Sequence, residues 1–273
     1  MPDATRFQFN VPSVPQAYDE FLRPRLFEPW ATLLLDAVAL RAGESVLDIA
    51  TGPGTVARLA AVRVGPQGRV LAIDIAQPML DIAKAKALLP GSADIDYQLS
   101  SATPLPSPSA AFDVALCQQG LQFFPDRIGA LREMRRVLKP DGRVGIAVWV
   151  EIERNPLYAA YHAALRATVP TQLADLITAP FSWPSGSSLK SAAAEAGFRA
   201  IHLLTRSLPM VLEAGVEQAV QTFAGTPVAP GVAELPREVQ NTLFARMRQE
   251  LTKLVKDGRV VADWTSNIIV GQA

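Results

Sequence analysis

The nine residues Val-Leu-Asp-Ile-Ala-Thr-Gly-Pro-Gly at 46–54 constrain the fold of this chain more than any other segment. Their apolar start predicts a buried parallel strand at 45–50, because strands covered on both faces read as near-continuous apolar runs. Gly52 and Gly54 permit a tight turn and a close approach of the backbone to a bound molecule. A helix is predicted over 55–63. The segment therefore predicts a strand, a ligand-binding loop and a helix in succession.

Two acids stand at or near the ends of predicted strands. Asp48 stands near the tip of the first strand, where a carboxylate beside the helix start favours a cationic amine or a hydroxyl over a phosphate. Asp74 ends a second strand at 69–74, and an acid there is placed to accept hydrogen bonds from both hydroxyls of an adenosine ribose. Two kinds of ligand fit: a nicotinamide or flavin dinucleotide, and S-adenosylmethionine.

Strands and helices alternate from 45 to 150, which predicts a parallel sheet covered on both faces. The predicted strands are 45–50, 69–74, 94–99, 112–117 and 143–149, and the helices between them are 55–63, 78–88 and 126–138. Lys139 to Gly142 predicts a turn into the fifth strand. A helix at 187–196 and strand-like runs at 198–208 and 260–270 follow, the last pairing as an antiparallel edge.

The fold class is therefore α/β: a Rossmann-like, doubly wound, mostly parallel seven-stranded sheet with an antiparallel C-terminal edge strand. The aromatic-rich segment 1–42, which includes Phe7 and Phe9, is expected to form a helical lid over the ligand cleft. The remaining predicted units are a binding core at 43–150, a helical cap at 151–186, a core helix and strand at 187–210, a second cap insertion at 211–259 and the last core strand at 260–273.

Composition narrows the classes of partner. Lysine plus arginine and aspartate plus glutamate number 26 each, so no overall basic field exists to hold nucleic acid. No stretch of about eighteen apolar residues occurs, so stable membrane insertion is not expected, and the start of the chain lacks an apolar targeting segment. The single Cys117 rules out an intrachain disulfide and a cysteine-based metal site. We expect a cytoplasmic monomer or homodimer that acts on a small molecule without a metal.

Four pieces of sequence, in order, resemble one family. They are Val-Leu-Asp-Ile-Ala-Thr-Gly-Pro-Gly-Thr at 46–55, Ala-Ile-Asp-Ile-Ala-Gln-Pro-Met-Leu at 72–80, Phe-Asp-Val-Ala-Leu-Cys-Gln-Gln-Gly-Leu-Gln-Phe-Phe-Pro-Asp at 112–126 and Arg-Val-Leu-Lys-Pro-Asp-Gly-Arg at 136–143. From about Gly43 to Trp149 the chain is similar to class I S-adenosylmethionine-dependent methyltransferases, in particular the small-molecule branch related to ubiquinone and menaquinone methyltransferases.

The resemblance implies S-adenosylmethionine as the cofactor and S-adenosylhomocysteine as the product. It places the amino acid end of the cofactor near Asp48 and the glycine-rich loop, the ribose at Asp74, and the methionine portion near Gln118. The implied cofactor-binding residues are Asp48, Ala50, Gly52, Gly54, Asp74, Ile75, Met79, Ser101, Ala102, Gln118 and Leu121. Ala50 replaces the family's first glycine, and Ser101 stands where relatives usually have an aspartate that contacts the adenine amine.

Residues for the acceptor are predicted from their positions near the lid, the cap and the strand tips. Trp30, Phe123, Trp149 and Tyr158 are candidates for the substrate pocket. His162 follows Tyr158 by four residues on a predicted helix, so both share a face. His162 and Tyr18 are the candidate catalytic groups, because a general base would help an oxygen or carbon nucleophile.

The sequence favours methyl transfer to a small, partly apolar acceptor such as a quinone or phenol by in-line displacement, a reaction that mainly requires alignment and exclusion of water. One alternative is a non-catalytic cofactor-binding or regulatory protein with the same fold. A less favoured one is an NAD(P)-dependent oxidoreductase, whose pyrophosphate would face the carboxylate of Asp48.

A calorimetric titration separates these cofactors. Protein stripped of ligand should bind S-adenosylhomocysteine with micromolar affinity and should bind neither NAD nor NADP. Asp74→Ala should weaken that binding. Heat released only by a dinucleotide would contradict the predicted cofactor.

Overall fold

A computed structural model describes residues 13–183 and 185–273, so Phe7 and Phe9 lie outside the described residues. Its centre is one sheet with the strand order β3-β2-β1-β4-β5-β8-β6, and β7 pairs with β8 beside this path. The strands are β1 (Ser45–Ile49), β2 (Arg69–Asp74), β3 (Ile95–Leu99), β4 (Phe112–Gln118), β5 (Leu138–Trp149), β6 (Arg199–Leu212), β7 (Val255–Lys256) and β8 (Arg259–Gln272).

Strand pairing confirms the predicted sheet. β1 pairs in parallel with β2, with Asp48 beside Ala72, and in parallel with β4, with Asp48 beside Leu116. β8 pairs antiparallel to both β5 and β6. The antiparallel pairing of the C-terminal strand is thus confirmed, and β6 occupies the edge position that was predicted for β8.

Helices cover both faces of the sheet. They are α1 (Ser13–Ala17), α2 (Glu28–Ala37), α3 (Thr55–Val64), α4 (Gln77–Ala85), α5 (Arg127–Val137), α6 (Pro156–Thr168), α7 (Thr171–Ala174), α8 (Gly186–Glu195), α9 (Gly215–Thr222), α10 (Ala229–Ala233) and α11 (Arg237–Thr252). Local sequence explains several starts. Pro78 occupies the first turn of α4, and the Asp126 side chain caps α5 by accepting from the Gly129 N–H at 2.8 Å.

Two hydrophobic cores, one on each face, follow from the alternation of side chains along the strands. On β4, Val114 and Leu116 join one core, which also contains residues of α2, α3, α6 and α11. Ala115 and Cys117 of the same strand join the other core, with residues of α5 and α8. The strand tips between these layers are left free to carry a site.

The prediction of a turn at Lys139 to Gly142 is wrong. β5 already begins at Leu138, which pairs with Phe112, and the register then shifts so that Arg143 pairs with Val114. Asp141 adopts a positive φ of 62° in this bulge. The Pro-Asp-Gly residues therefore bend a strand instead of ending before it.

Other boundaries also differ from the sequence-based ones. α4 ends at Ala85 instead of near 88, and β6 continues to Leu212 beyond the predicted 208. The short hairpin of β7 with β8 was not predicted. Among the described residues, no helix is both long and apolar enough to cross a lipid bilayer.

The N-terminal segment contains a π-helix over Tyr18–Phe27, called the lid helix below, between α1 and α2. Pro24 lies inside it and has no backbone N–H to donate, which interrupts regular α-helical bonding. Leu22 and Leu26 of the lid helix are buried in the core that also holds Trp30. Residues 13–37 of this segment are helical, and its role as a lid stays a prediction.

A substitution at Gly145 on β5 tests how tightly α2 packs on the sheet. A Cβ built there would lie 2.3 Å from Val38 Cγ1 and 3.2 Å from Leu34 Cδ1. We expect Gly145→Ala to lower the free energy of unfolding by about 1–3 kcal/mol through overpacking, measured by urea denaturation. Gly271→Ala is the matched control on the adjacent strand, because its Cβ would find its nearest atom at 3.4 Å. Equal stabilities of the two variants would contradict this packing argument.

Candidate functional site

One cavity of about 440 Å³ lies at the carboxyl ends of the parallel strands. Its walls come from the tips of β1, β2, β4 and β5, from the lid helix, from residues 180, 225 and 227, and from β8. Ligands of open α/β sheets bind at this edge, next to the point where the strand order reverses. In this sheet that reversal falls between β1 and β4.

The glycine-rich loop after β1 forms one end of the cavity. Ala50, Gly52 and Gly54 all adopt positive φ, at 57°, 55° and 81°. A Cβ built on Gly52 would meet nothing within 4 Å, whereas one on Gly54 would lie 2.7 Å from the Tyr97 hydroxyl. Gly52 therefore leaves open space beside a ligand, and Gly54 allows close packing beneath the loop.

Ala50 holds the left-handed conformation that a glycine would adopt without strain, at a cost on the order of 1 kcal/mol. Its methyl group also fills space: a Cβ on Gly120 would lie 2.6 Å from Ala50 Cβ. Ala50 lines the cavity. The departure from the family's first glycine is thus accommodated by Gly120 in the loop after the neighbouring strand β4.

Asp74 joins the two loops at this end. Its Oδ2 accepts from the Gly52 N–H and its Oδ1 from the Ala76 N–H, both at 2.8 Å. Burial raises the pKa of this carboxyl, and the backbone hydrogen bonds from Ala76, Gly52 and Ile75 act in the opposite direction. Asp74 lines the cavity and keeps lone pairs for further donors.

Asp48 lies beneath the loop and is absent from the cavity lining. It is 1% exposed, and its Oδ2 accepts from the Thr51 hydroxyl at 2.6 Å. Oδ1 has no partner among the described residues. Burial raises the pKa of Asp48 to about 7, against the hydrogen bonds from Thr51 and the Ala57 backbone. Asp48 therefore supports the loop from beneath, and its contact with a ligand stays a prediction.

An apolar slot lies between the tips of β2 and β3. Ile75 is 72% exposed, which is unusual for a large apolar side chain beside a cavity, and Met79 is buried. Ala102 and Ser101 lie opposite, and the Ser101 hydroxyl accepts from the Thr103 N–H at 3.2 Å. A flat ring placed here would cover Ile75, with Ser101 at its polar edge.

Three glutamines line the cavity at the end of β4 and just after it. Gln118 donates from Nε2 to the Phe27 carbonyl of the lid helix at 3.1 Å, which leaves its Oε1 without a partner among the described residues. Gln119 donates to the Ser266 hydroxyl at 3.1 Å and accepts from Gln122 at 3.4 Å. These contacts fix the amides and tie β4 to both the lid helix and β8.

Aromatic rings enclose the other end of the cavity. Tyr18 stacks on Phe27 with ring centroids 4.4 Å apart, and Trp149 lies 4.9 Å from Trp264. Tyr158 packs edge-on against Trp264 at 5.0 Å. All five rings line the cavity. This end therefore suits a planar apolar molecule.

The tyrosine hydroxyls at this end stay protonated near neutral pH. Burial raises the pKa of Tyr18 well above its usual value, helped by Tyr158 and Asp74, and burial also raises that of Tyr158. Both phenols can donate hydrogen bonds, but neither is a base in this state. Among the described residues that line the cavity, no Lys, Arg or His occurs.

His162 lies on α6 outside the cavity, which corrects its predicted role as a general base. Its Nε2 lies 3.3 Å from Asp175 Oδ1, and Arg166 shares the same carboxylate at 3.2 Å. Tyr158 and His162 both lie on α6, but the His162 ring turns to a hydrogen bond with Asp175 at the surface. The geometry leaves His162 no contact with a ligand in the cavity.

Three more predicted residues lie outside the lining. Trp30 is 1% exposed and packs edge-on against Trp149 at 5.5 Å, so it backs the cavity wall. Leu121 is fully buried in the core beside α5. Gly54 begins α3. The other predicted site residues line the cavity: Tyr18, Ala50, Gly52, Asp74, Ile75, Met79, Ser101, Ala102, Gln118, Phe123, Trp149 and Tyr158.

Several lining residues were missed by the sequence analysis. Trp264 on β8, Gln119, Gln122, Gly225 and Pro227 all line the cavity. Gln119 has a positive φ of 56°, which a sequence pattern does not reveal. Trp264 could have been proposed, because it is an aromatic residue in the strand that neighbours β5. The remaining residues come from loops without a motif.

Stability should depend on the proton of Asp48. Because its pKa rises from 3.8 in the unfolded chain to about 7, the folded state binds more protons between these values. The free energy of unfolding should therefore fall as pH rises through this window, by at most ~1.4 kcal/mol per pH unit. Urea denaturation from pH 4 to 8 measures this, and Asp48→Asn should flatten the decline.

Asp113→Asn is the control with the opposite sign. The Asp113 carboxylate binds Lys139 at 2.8 Å, and these contacts lower its pKa. Its contribution is present above the unfolded pKa and is lost as pH falls, so this variant should differ from wild type most at neutral pH and converge with it in acid. An unchanged slope in Asp48→Asn would contradict the assignment.

Comparison with characterised sequences gives partial matches. The nocamycin O-methyltransferase of Saccharothrix syringae is 38% identical over 120 residues, covering 44% of this chain and 43% of that protein. The ubiquinone/menaquinone biosynthesis C-methyltransferase UbiE of Hahella chejuensis is 40% identical over 116 residues, covering 42% of this chain and 47% of that protein. The chain thus spans less than half the length of these two relatives.

Solved structures share the fold. The YcgJ protein of Bacillus subtilis superposes with a TM-score of 0.60 at 21% identity, covering 89% of this chain and 97% of that one. A Haemonchus contortus phosphoethanolamine N-methyltransferase in complex with S-adenosyl-L-methionine gives 0.62 at 16% identity, covering all of this chain and 60% of that one.

A sequence model of the ubiE/COQ5 methyltransferase family matches residues 11–203. The predicted resemblance is confirmed, and the chain belongs to the ubiE/COQ5 family of S-adenosylmethionine-dependent methyltransferases.

Proposed function

We propose that this protein transfers a methyl group from S-adenosylmethionine to a small, neutral, partly apolar acceptor of the quinone or phenol class. The observation that carries the proposal is one continuous cavity that joins the glycine-rich loop and Asp74 to an aromatic enclosure. The family match supports the reaction class. The two relatives named above are an O- and a C-methyltransferase. An acceptor of this class can be methylated at either oxygen or carbon.

The charge of the cavity supports this cofactor over a dinucleotide. Its lining includes the carboxylates of Asp74 and Asp126 and, within the described residues, no basic side chain. A sulfonium and an ammonium group are favoured in such a field, whereas a pyrophosphate is not. The dinucleotide alternative therefore has no counter-charge at the site.

The residues present fit the cofactor. Gly52 leaves open space at the loop, Gln118 offers an unpartnered buried oxygen, and Ile75 presents an exposed apolar surface. In this proposal Gly52 and Gln118 hold the amino acid end, and Asp74 accepts from the ribose hydroxyls. Ile75, Met79, Ser101 and Ala102 enclose the adenine. S-adenosylmethionine supplies an electrophilic methyl group on sulfur.

The aromatic end would hold the acceptor and exclude water. Trp149 and Trp264 are 3% and 1% exposed, so a planar ring in contact with them is shielded from solvent. Neutral phenols at Tyr18 and Tyr158 can donate hydrogen bonds to an acceptor oxygen and fix its orientation. Because the lining offers no histidine base, alignment accounts for the rate in this proposal. The acceptor is a phenol or the reduced form of a quinone, whose oxygen or ring carbon is nucleophilic. Methyl transfer breaks the bond between sulfur and the methyl carbon, and the proton displaced from the acceptor passes to water as the product leaves.

Two glycines with the same backbone strain test the cofactor site. Gly52 and Gly258 have φ of +55° and +79°, and a Cβ on either meets nothing within 4 Å. Both Gly52→Ala and Gly258→Ala should lose similar stability, about 1 kcal/mol. Only Gly52→Ala should weaken binding of S-adenosylhomocysteine in a calorimetric titration, because its methyl group occupies the cradle. Equal affinities in the two variants would refute this placement of the cofactor.

An acceptor screen tests the proposed class of acceptor. Incubation with S-adenosylmethionine and separate pools of reduced quinones, neutral phenols, carboxylates and phosphate esters should give methylated products only from the first two pools, detected by mass spectrometry. Trp149→Ala should reduce turnover of these products while it leaves the affinity for S-adenosylhomocysteine close to wild type. Methylation confined to the anionic pools would overturn the proposed acceptor class.

A further inference from the structure

Lys86 connects two segments beside the cavity, the lid helix and the glycine-rich loop. It lies at the C-terminal end of α4, where its Nζ donates to the carboxylate of Asp19 in the lid helix. The same Nζ donates to the Pro53 carbonyl at 2.9 Å. Pro53 stands between Gly52 and Gly54, so one ammonium group binds both the lid helix and the glycine-rich loop.

The ion pair is shielded from solvent on both sides. The side chains of Lys86 and Asp19 are 21% and 19% exposed, and Asp19 also binds Arg23 Nε at 2.9 Å. Such a pair is screened less by salt than one at the surface. Charged hydrogen bonds of this kind contribute more than neutral ones.

The lid helix approaches the cavity closely at the residue next to Asp19. Tyr18 lines the cavity, and a Cβ on Gly225 would lie 3.0 Å from Tyr18 Cα. At its other end the lid helix accepts from Gln118 through the Phe27 carbonyl. The helix is therefore fixed at both ends, and Lys86 provides the fixation that also reaches the loop.

We propose that Lys86 is a positioning residue that couples closure of the lid helix to the conformation of the glycine-rich loop, and thereby slows release of the bound cofactor. The inference rests on the proposed function for the identity of that cofactor. The coupling itself concerns only residues of this chain, which makes it measurable without ligand.

The backbone at Lys86 has its own support, so the side chain can be replaced without displacing α4. Its carbonyl accepts from Arg58 at 3.3 Å, and its N–H donates to the Ala83 carbonyl at 3.4 Å. Lys86→Met keeps an unbranched apolar stem and removes the charge. Asp19→Asn removes the charge of the partner at nearly the same size.

The first experiment measures the ligand-free protein by hydrogen exchange. Lys86→Met should accelerate exchange both in the lid helix, residues 18–27, and in the loop, residues 50–54, while core strands keep wild-type rates. Asp19→Asn should accelerate the same two segments, and Lys86→Arg, which retains the charge, should stay nearer to wild type. Acceleration of only one segment, or of all segments together, would refute the coupling.

The second experiment measures release of S-adenosylhomocysteine by stopped-flow, with the fluorescence of Trp149 and Trp264 as the signal. Lys86→Met and Asp19→Asn should each raise the dissociation rate about tenfold, as expected for one charged hydrogen bond. The double variant should release the cofactor faster than either single variant but by less than the product of their two effects, because both variants remove the Lys86–Asp19 pair while each also removes one contact of its own, to Pro53 for Lys86 and to Arg23 for Asp19. Unchanged or fully additive rates would overturn the proposal.

The cap provides the matched control pair. Arg248 binds Glu217 at 2.7 Å between α11 and α9, away from the cavity lining. Arg248→Met should leave both the exchange of the lid helix and the dissociation rate unchanged, and an equal effect there would assign the result to general destabilisation. Failure of wild-type protein to bind S-adenosylhomocysteine would refute the proposed function, whereas the exchange experiment would still decide the coupling.

Discussion

The carboxylate of Asp74 is the interaction on which the geometry of the site depends. Its two oxygens bind the backbone N–H groups of Gly52 and Ala76, and so fix the loop after β1 relative to the turn after β2. Because β1 and β2 are paired along their length, this bridge sets the shape of the cavity at the strand tips. Burial raises the pKa of this carboxyl, and the fold tolerates the buried group because each of its two oxygens accepts a hydrogen bond.

The two ends of the cavity differ in how far the sequence could predict them. Gly52, Asp74 and Met79 belong to local patterns, in which residue type, strand end and spacing together predict the position. His162 and Trp30 were placed by helical spacing and proximity alone, and tertiary packing decided otherwise. A hydrogen bond with Asp175 holds the ring of His162, and Trp149 covers Trp30.

The aromatic end could be predicted only in part, because its residues meet only through the fold. Tyr18, Trp149 and Trp264 are separated by more than a hundred residues and lie on the lid helix, β5 and β8. No local pattern connects them. The bulge in β5 illustrates the same limit: Pro140 to Gly142 has the composition of a turn, and only pairing with β4 shows that the strand continues.

The position of β8 in the sheet has a consequence for synthesis of the chain. β8 lies between β5 and β6 but follows both in the sequence, so β6 has no core strand to pair with until β8 has left the ribosome. Until then the edge of β5 is unpaired, and Trp264 is missing from the wall. The pocket is therefore completed only after translation of this last strand, and a nascent chain that stalls before it presents an open, apolar sheet edge to other proteins.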